Sequence, residues 1–157
     1  MIKKRLTKEE AMQKLKHFCG YQERCHREVI EKLYNLGVRK IDHDEILAGL
    51  IEENYLNEER FAIHFAGGRY RMKNWGRKKI MYALREKQIN DYCIKKALQQ
   101  IDEDDYEKKL KELVEKRYAS LRNEQYMVRK KKTIDYMLQK GYEHNLIIQA
   151  LDKMDEK

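Results

Sequence analysis

One pattern returns three times along this 157-residue chain and leaves little choice of fold. An apolar residue, a turn, and then Ile, Ala or Gly, and Leu on one helical face recur. They do so as Val38, Ile46, Gly49 and Leu50, as Ile89, Ile94, Ala97 and Leu98, and as Tyr142, Ile147, Ala150 and Leu151. The second and third copies align without a gap, whereas the first carries three extra residues at Arg39 to Asp42. Ahead of each copy runs a helically spaced apolar set: Val29, Ile30 and Leu33 before Gly37; Ile80, Met81 and Leu84 before Gln88; Ile134, Met137 and Leu138 before Gly141. Gly37 and Gly141 suit the left-handed residue that closes a helix, and Gln88 is a poorer occupant of the same place. Repetition of this kind marks units that each bury too little alone and must stack on their neighbours.

A further helix opens each unit. Thr7 to about Cys19 begins with Thr7 as N-cap and Glu10 completing a capping box. The others run from Asn57 to about Met72 and from Asp104 to about Leu121, where Glu58, Glu59, Asp104 and Asp105 suit the positive end of a helix dipole. Proline is absent, and the periodic segments are built from Glu, Lys, Leu, Gln, Arg and Met, which lose least on entering a helix. The expectation is an all-α protein of three tandem three-helix repeats, at residues 1–54, 55–101 and 102–157. Together they form an elongated, curved helical array with several small cores. In the helix from Asn57, a wheel places Phe61, Phe65, Gly68 and Met72 on one side, so Gly68 is expected where another helix approaches. Gly67 falls away from that side, where a second glycine costs roughly 1 kcal/mol against alanine and favours bending or fraying.

Charge is distributed unevenly. Of the 35 Lys and Arg, eight lie between Arg60 and Arg85 with no Asp or Glu among them: Arg60, Arg69, Arg71, Lys73, Arg77, Lys78, Lys79 and Arg85. The rest of the chain has 27 residues of each sign, so the whole formal +8 sits in this window. A face kept only for solubility intersperses both signs. This one suits an acidic protein groove, where Arg pairs bidentately with carboxylates, or nucleic acid, where cations release counterions from phosphates. Lys78, Lys79, Tyr82 and Arg85 crowd the face opposite the inward Ile80 and Leu84. Arg129, Lys130, Lys131 and Lys132 open the second helix of the third unit and extend the same surface. Trp75, the only tryptophan, reads as a packing residue between the helices on either side of its turn.

Other functions lose ground. Three cysteines cannot all pair within one chain and no apolar signal segment opens the sequence, which describes a reduced, cytoplasmic protein. No run approaches the roughly 20 apolar residues of a membrane span. His17, Cys19, Cys25 and His26 match no usual zinc spacing, and Cys93 reads as a core thiol. With no glycine-rich phosphate loop, no nucleophile matched to a base and no paired histidine motif, neither enzyme nor cofactor is expected. A helix-turn-helix protein acting on DNA directly is the alternative. The third helix of the central unit, however, opens with Asn90-Asp91-Tyr92, which sets an acid against phosphates. Weak non-specific DNA binding is expected in place of sequence reading.

Tyr55-Leu56-Asn57-Glu58-Glu59-Arg60-Phe61-Ala62, followed by Phe65, Arg69, Trp75-Gly76-Arg77-Lys78-Lys79-Ile80, Leu84 and Ile89, resembles the signature of the RecX family of bacterial recombinase regulators. Gly67-Gly68 and Gln88 depart from that pattern. The resemblance implies an all-helical, non-enzymatic protein, expected as a monomer, that binds the RecA filament along its helical groove. It further implies lowered RecA ATP hydrolysis and strand exchange, with filament disassembly, in recombination and DNA repair. The RecA- and DNA-binding candidates are the eight cations of the window, Tyr82, and Arg129 to Lys132.

Overall fold

The structure, a computed structural model, describes residues 6–155, and among these it contains nine α-helices, one 3-10 turn and no strand. The first trio is α1 (Lys8–Tyr21), α2 (His26–Asn35) and α3 (His43–Glu52). The second is α4 (Glu58–Lys73), α5 (Arg77–Glu86) and α6 (Asp91–Gln99), and the third is α7 (Glu103–Ser120), α8 (Tyr126–Gln139) and α9 (His144–Asp155). Side chains outside the helices start several of them. Thr7, Asn57, Asn90 and Asp102 accept hydrogen bonds from the backbone N–H of Glu10, Arg60, Cys93 and Asp105. Asp102 is therefore the cap of α7, and that helix begins one residue before the expected Asp104. A reciprocal bond from the Cys25 N–H to Glu28 starts α2.

The three repeat turns share one geometry. Gly37, Gln88 and Gly141 all take positive φ, at 74°, 63° and 97°. Each sits between matched backbone bonds: Val38 N–H to Leu33 O, Ile89 N–H to Leu84 O, and Tyr142 N–H to Met137 O. Gln88 thus fills a glycine position at the cost of left-handed strain. The additional residues of the first unit form the 3-10 turn Lys40–Asp42, after which buried His43 sets its Nε2 3.0 Å from the Val38 carbonyl oxygen.

In α4 the buried face differs from the expected one. Phe61, Ala62, Ala66 and Tyr70 are buried, Met72 is exposed, and a Cβ added at Gly68 meets nothing within 4 Å. The wheel followed the bulky residues, but α4 packs chiefly on α6, and it is the alanines that allow two helices to close up. Gly67 has a use of its own, since a Cβ there would strike the Arg71 guanidinium folded over it. The helix runs unbroken through both glycines.

Among the described residues there are two cores, not one per unit. Ala11, Leu15, Val29, Leu33, Ile46, Leu50 and Leu56 form that of the first trio. The second and third trios share a continuous core that runs from Phe61 and Ile80 through Tyr106 and Val114 to Ile147 and Leu151, and Cys25 of the first trio joins it. The accessible surface is 10,828 Å², against roughly 8,400 Å² for a compact protein of this mass. The excess is that of an elongated repeat protein.

The junction between the second and third trios is close and polar. The N–H groups of Gly76 and Lys78 donate to the carbonyls of Lys140 and Gly141 at 2.7 and 2.9 Å, and a Cβ on Gly76 or Gly141 would collide with backbone across the junction. Tyr70, Tyr106 and Tyr142 stack in sequence, with ring centres 6.0 and 5.2 Å apart. Their hydroxyls donate to Asp105, Glu143 and the Asn74 carbonyl.

Candidate partner-binding surface

Helix α5 supplies the centre of the basic face. Gly76 caps it with no side-chain bond and no acid lies in its first turn, so Lys78 and Lys79 stand against the helix dipole without compensation. Ile80 and Leu84 are fully buried. That fixes Lys78, Tyr82 and Arg85, spaced i, i+4, i+7, as one outward stripe. All three are exposed, Tyr82 by 59%. Arg85 reaches Asp91 only at 3.8 Å in a solvated pair, which holds it weakly. Arg71, Lys73 and Lys131 are likewise exposed.

The remaining predicted cations are engaged within the molecule. Arg60 donates from Nε to Glu23 at 2.6 Å and from its two terminal nitrogens to Asn54, tying the second trio to the first. Arg69 lies between Phe65 and Trp75, with its guanidinium carbon 4.6 and 5.5 Å from their ring centres, and Lys79 covers Trp75 at 4.7 Å. Arg77 bridges to Glu143 and Glu103 of the third trio and covers the Tyr106 ring at 4.0 Å. Arg129 donates to the Tyr118 carbonyl and lies 3.6 Å from the centre of that ring. Lys130 and Lys132 pair with Asp155 and Glu124. Trp75 has the packing role expected of it, edge-on to Phe65.

Electrostatics at the junction follow from burial. Desolvation raises the phenol pKa values of Tyr70, Tyr106 and Tyr142, and the carboxylates of Asp105 and Glu143 raise the first two further. Burial works against the Arg77 charge, but Glu143, Tyr106 and Glu103 together outweigh it and its pKa rises. Burial pushes the Cys25 thiol up to about 11 and raises Cys93 as well. Both are inert packing thiols. Among the described residues no cluster of His, Cys, Asp and Glu could hold a metal, and no helix is long and apolar enough to cross a membrane.

The family model for the second three-helix domain of RecX matches residues 57–98, and that for the third three-helix domain matches residues 103–151. The chain belongs to the RecX family. Regulatory protein RecX of Oceanobacillus iheyensis is 27% identical over 139 residues, covering 88% of this chain and 51% of that protein. The counterpart in Clostridium tetani is 28% identical over 133 residues, covering 83% and 61%. This RecX-family chain spans about half the length of the first of these relatives. The crystal structure of RecX from Lactobacillus salivarius shares its fold, with a TM-score of 0.86 at 23% identity over 96% of this chain and 97% of that one.

The residues that carry the resemblance to RecX are in large part those that hold the trios together. Leu56 closes the first core, Arg60 clamps the first junction, Phe65, Arg69 and Trp75 form one packed group, and Gly76 with Arg77 makes the second junction. One cation that the sequence reading passed over, Arg27, donates to the Glu86 carbonyl across the first junction. It precedes Leu33 by the interval at which Lys78 precedes Leu84 and Lys131 precedes Met137, so aligning the repeats through their second helices would have found it.

Proposed function

We propose that this RecX-family protein is a regulator that binds the groove of the RecA–DNA filament and restrains RecA, lowering ATP hydrolysis and strand exchange. The observation that carries this reading is the stripe of Lys78, Tyr82 and Arg85, whose side chains remain exposed while most neighbouring cations are spent on the fold. Arg71, Lys73, Lys79 and Lys131 enlarge the cationic area, and Arg60, Arg69, Arg77, Arg129, Lys130 and Lys132 act from behind it as positioning residues. An elongated protein laid along a filament bridges successive protomers. Bridging restricts the movement between protomers that ATP turnover requires. The protein acts in the cytoplasm, as a monomer, without catalysis of its own and without a cofactor, and it holds DNA weakly and without sequence preference.

The test is RecA's DNA-dependent ATPase with this protein at sub-stoichiometric ratios. The rate should fall, and should still fall when excess RecA has saturated the free DNA. An unchanged rate sinks the proposal, and an effect that disappears on saturation reassigns it to sequestration of DNA.

A further inference from the structure

Away from the α5 stripe, the first trio carries a second basic and aromatic site, in a part of the chain outside both matched family models. A cleft of about 610 Å³ opens between α1 and α2, lined chiefly by Lys14, His17, Phe18, Tyr21, Arg24 and Lys32, and no carboxylate lines it. Elsewhere in this trio cations meet acids: Lys8 pairs with Glu45, Lys16 with Glu53 and Arg39 with Asp42. Among the described residues, Lys14, His17, Arg24 and Lys32 form no ion pair.

The cleft is built in advance of any ligand. Arg24 Nε donates to the Phe18 carbonyl at 3.0 Å, and its guanidinium carbon lies 3.7 Å from the centre of the Phe18 ring. Lys32 Nζ stands 5.5 Å from the centre of the same ring. Two positive charges are thereby gathered about one ring and half-buried, with the terminal nitrogens of Arg24 still free to donate. Holding these long side chains in place removes ordering entropy that binding would otherwise have to meet. Beside them Tyr21 is 78% exposed, a flat ring largely open to solvent.

We infer that this cleft binds single-stranded nucleic acid, with a base stacked on Tyr21 and flanking phosphates held by Lys14, Arg24 and Lys32. Cations interleaved with rings match a strand whose phosphates alternate with bases. An acidic protein would use the charges and leave the exposed ring without a counterpart. A duplex keeps its bases stacked inside, away from Tyr21. The site does not depend on RecA; it rests on the weak DNA binding proposed above and gives that binding a place in the fold and a preference for single strands.

The experiment measures anisotropy of a labelled oligothymidylate with the full chain, without RecA, over rising salt. Tyr21→Ala should weaken binding at least about fivefold, as loss of one base–ring stack does. Lys14→Glu combined with Lys32→Glu should lower the slope of log affinity against log salt by about 1.4, for two single-strand phosphate contacts. Circular dichroism of each variant should match the parent, because Tyr21 and Lys14 are exposed and Lys32 is only partly buried. Wild-type affinity in both variants, with fold intact, overturns the proposal. So does equal competition by thymidine monophosphate, which would make the cleft a pocket for a single nucleotide. Failure on either count leaves the RecA ATPase result untouched, and a null ATPase result leaves this binding untouched.

Discussion

Arg77 donates from Nε to Glu143 Oε2 at 2.8 Å, across the junction between the second and third helical trios. The two side chains are only 24% and 20% exposed, and Tyr106 adds a ring beneath the guanidinium and a hydroxyl to the carboxylate. Removing one partner of such a pair strands the other in a poorly solvated place. Breaking a fully buried pair costs about 3–5 kcal/mol, and partial exposure lowers that here.

Arg77→Ala should therefore destabilise the protein by about 2 kcal/mol in urea unfolding. Glu143→Gln should cost less, and the double variant should fall well short of the sum. A coupling energy under about 0.5 kcal/mol would show that the pair is only a solvated surface contact.

The repeat turns give a graded series. Gly37 and Gly141 share a positive φ, but only at Gly141 would a Cβ strike a neighbour, the Lys79 backbone. Gly37→Ala should cost about 1 kcal/mol, for the left-handed conformation alone. Gly141→Ala and Gly76→Ala should each cost more, because they force the trios apart. Gln88→Gly should stabilise by about 0.5–1 kcal/mol, since glycine takes that φ freely and the entropy it adds to the unfolded chain offsets only part of the gain. Melting temperatures of the four variants check the order, and a destabilised Gln88→Gly would contradict it.

These turns also show how far the sequence could be read. The spacing of Leu33, Gly37 and Val38 repeats at Leu84, Gln88 and Ile89 and at Met137, Gly141 and Tyr142, so the three-trio architecture was legible from local periodicity. The junctions were not. Whether Arg77 points to solvent or to Glu143 depends on two residues 66 positions apart, and no helical wheel carries that information. The α4 face was misjudged because alanine and glycine weigh little in an apolar pattern yet decide how closely helices approach. For the same reason a charge count overstated the free surface: it registers Arg60, Arg69 and Arg129 as basic without registering Glu23, Trp75 and Tyr118 beside them.

Stability should fall on the alkaline side. Tyr70, Tyr106 and Tyr142 have folded pKa values above their ordinary value near 10, and burial holds Cys25 at about 11 against about 8.5–9 for a free thiol. A raised folded pKa means that the native state keeps its proton longer than the unfolded chain. The stabilising contribution is complete below the unfolded pKa and is lost as pH rises toward the folded one. The melting temperature should consequently be steady with respect to these groups up to about pH 8, decline first as unfolded thiols ionise, and decline more steeply above about pH 10. Tyr142→Phe should make the upper decline shallower, and an unchanged profile would place that phenol in contact with solvent.

Different cations of the basic face serve binding and folding. Lys79 covers Trp75 and Arg77 holds the junction, so reversing either charge would disturb packing together with any partner. Lys78 and Arg85 are exposed, and Arg85 has only a long, solvated contact with Asp91. Substitutions at such sites usually move stability within ±0.5 kcal/mol. Lys78→Glu combined with Arg85→Glu should leave the melting temperature within a few degrees of the parent while weakening the proposed inhibition of the RecA ATPase at least about tenfold, equivalent to about 1.4 kcal/mol. The loss should be greatest at low salt, where the reversed charges are least screened. Arg60→Ala should do the opposite, lowering the melting temperature by uncoupling the first trio while the α5 stripe stays in place. If the doubly reversed variant inhibits as well as the parent, the stripe is solvent surface and the proposed contact with RecA has to be sought elsewhere on the molecule.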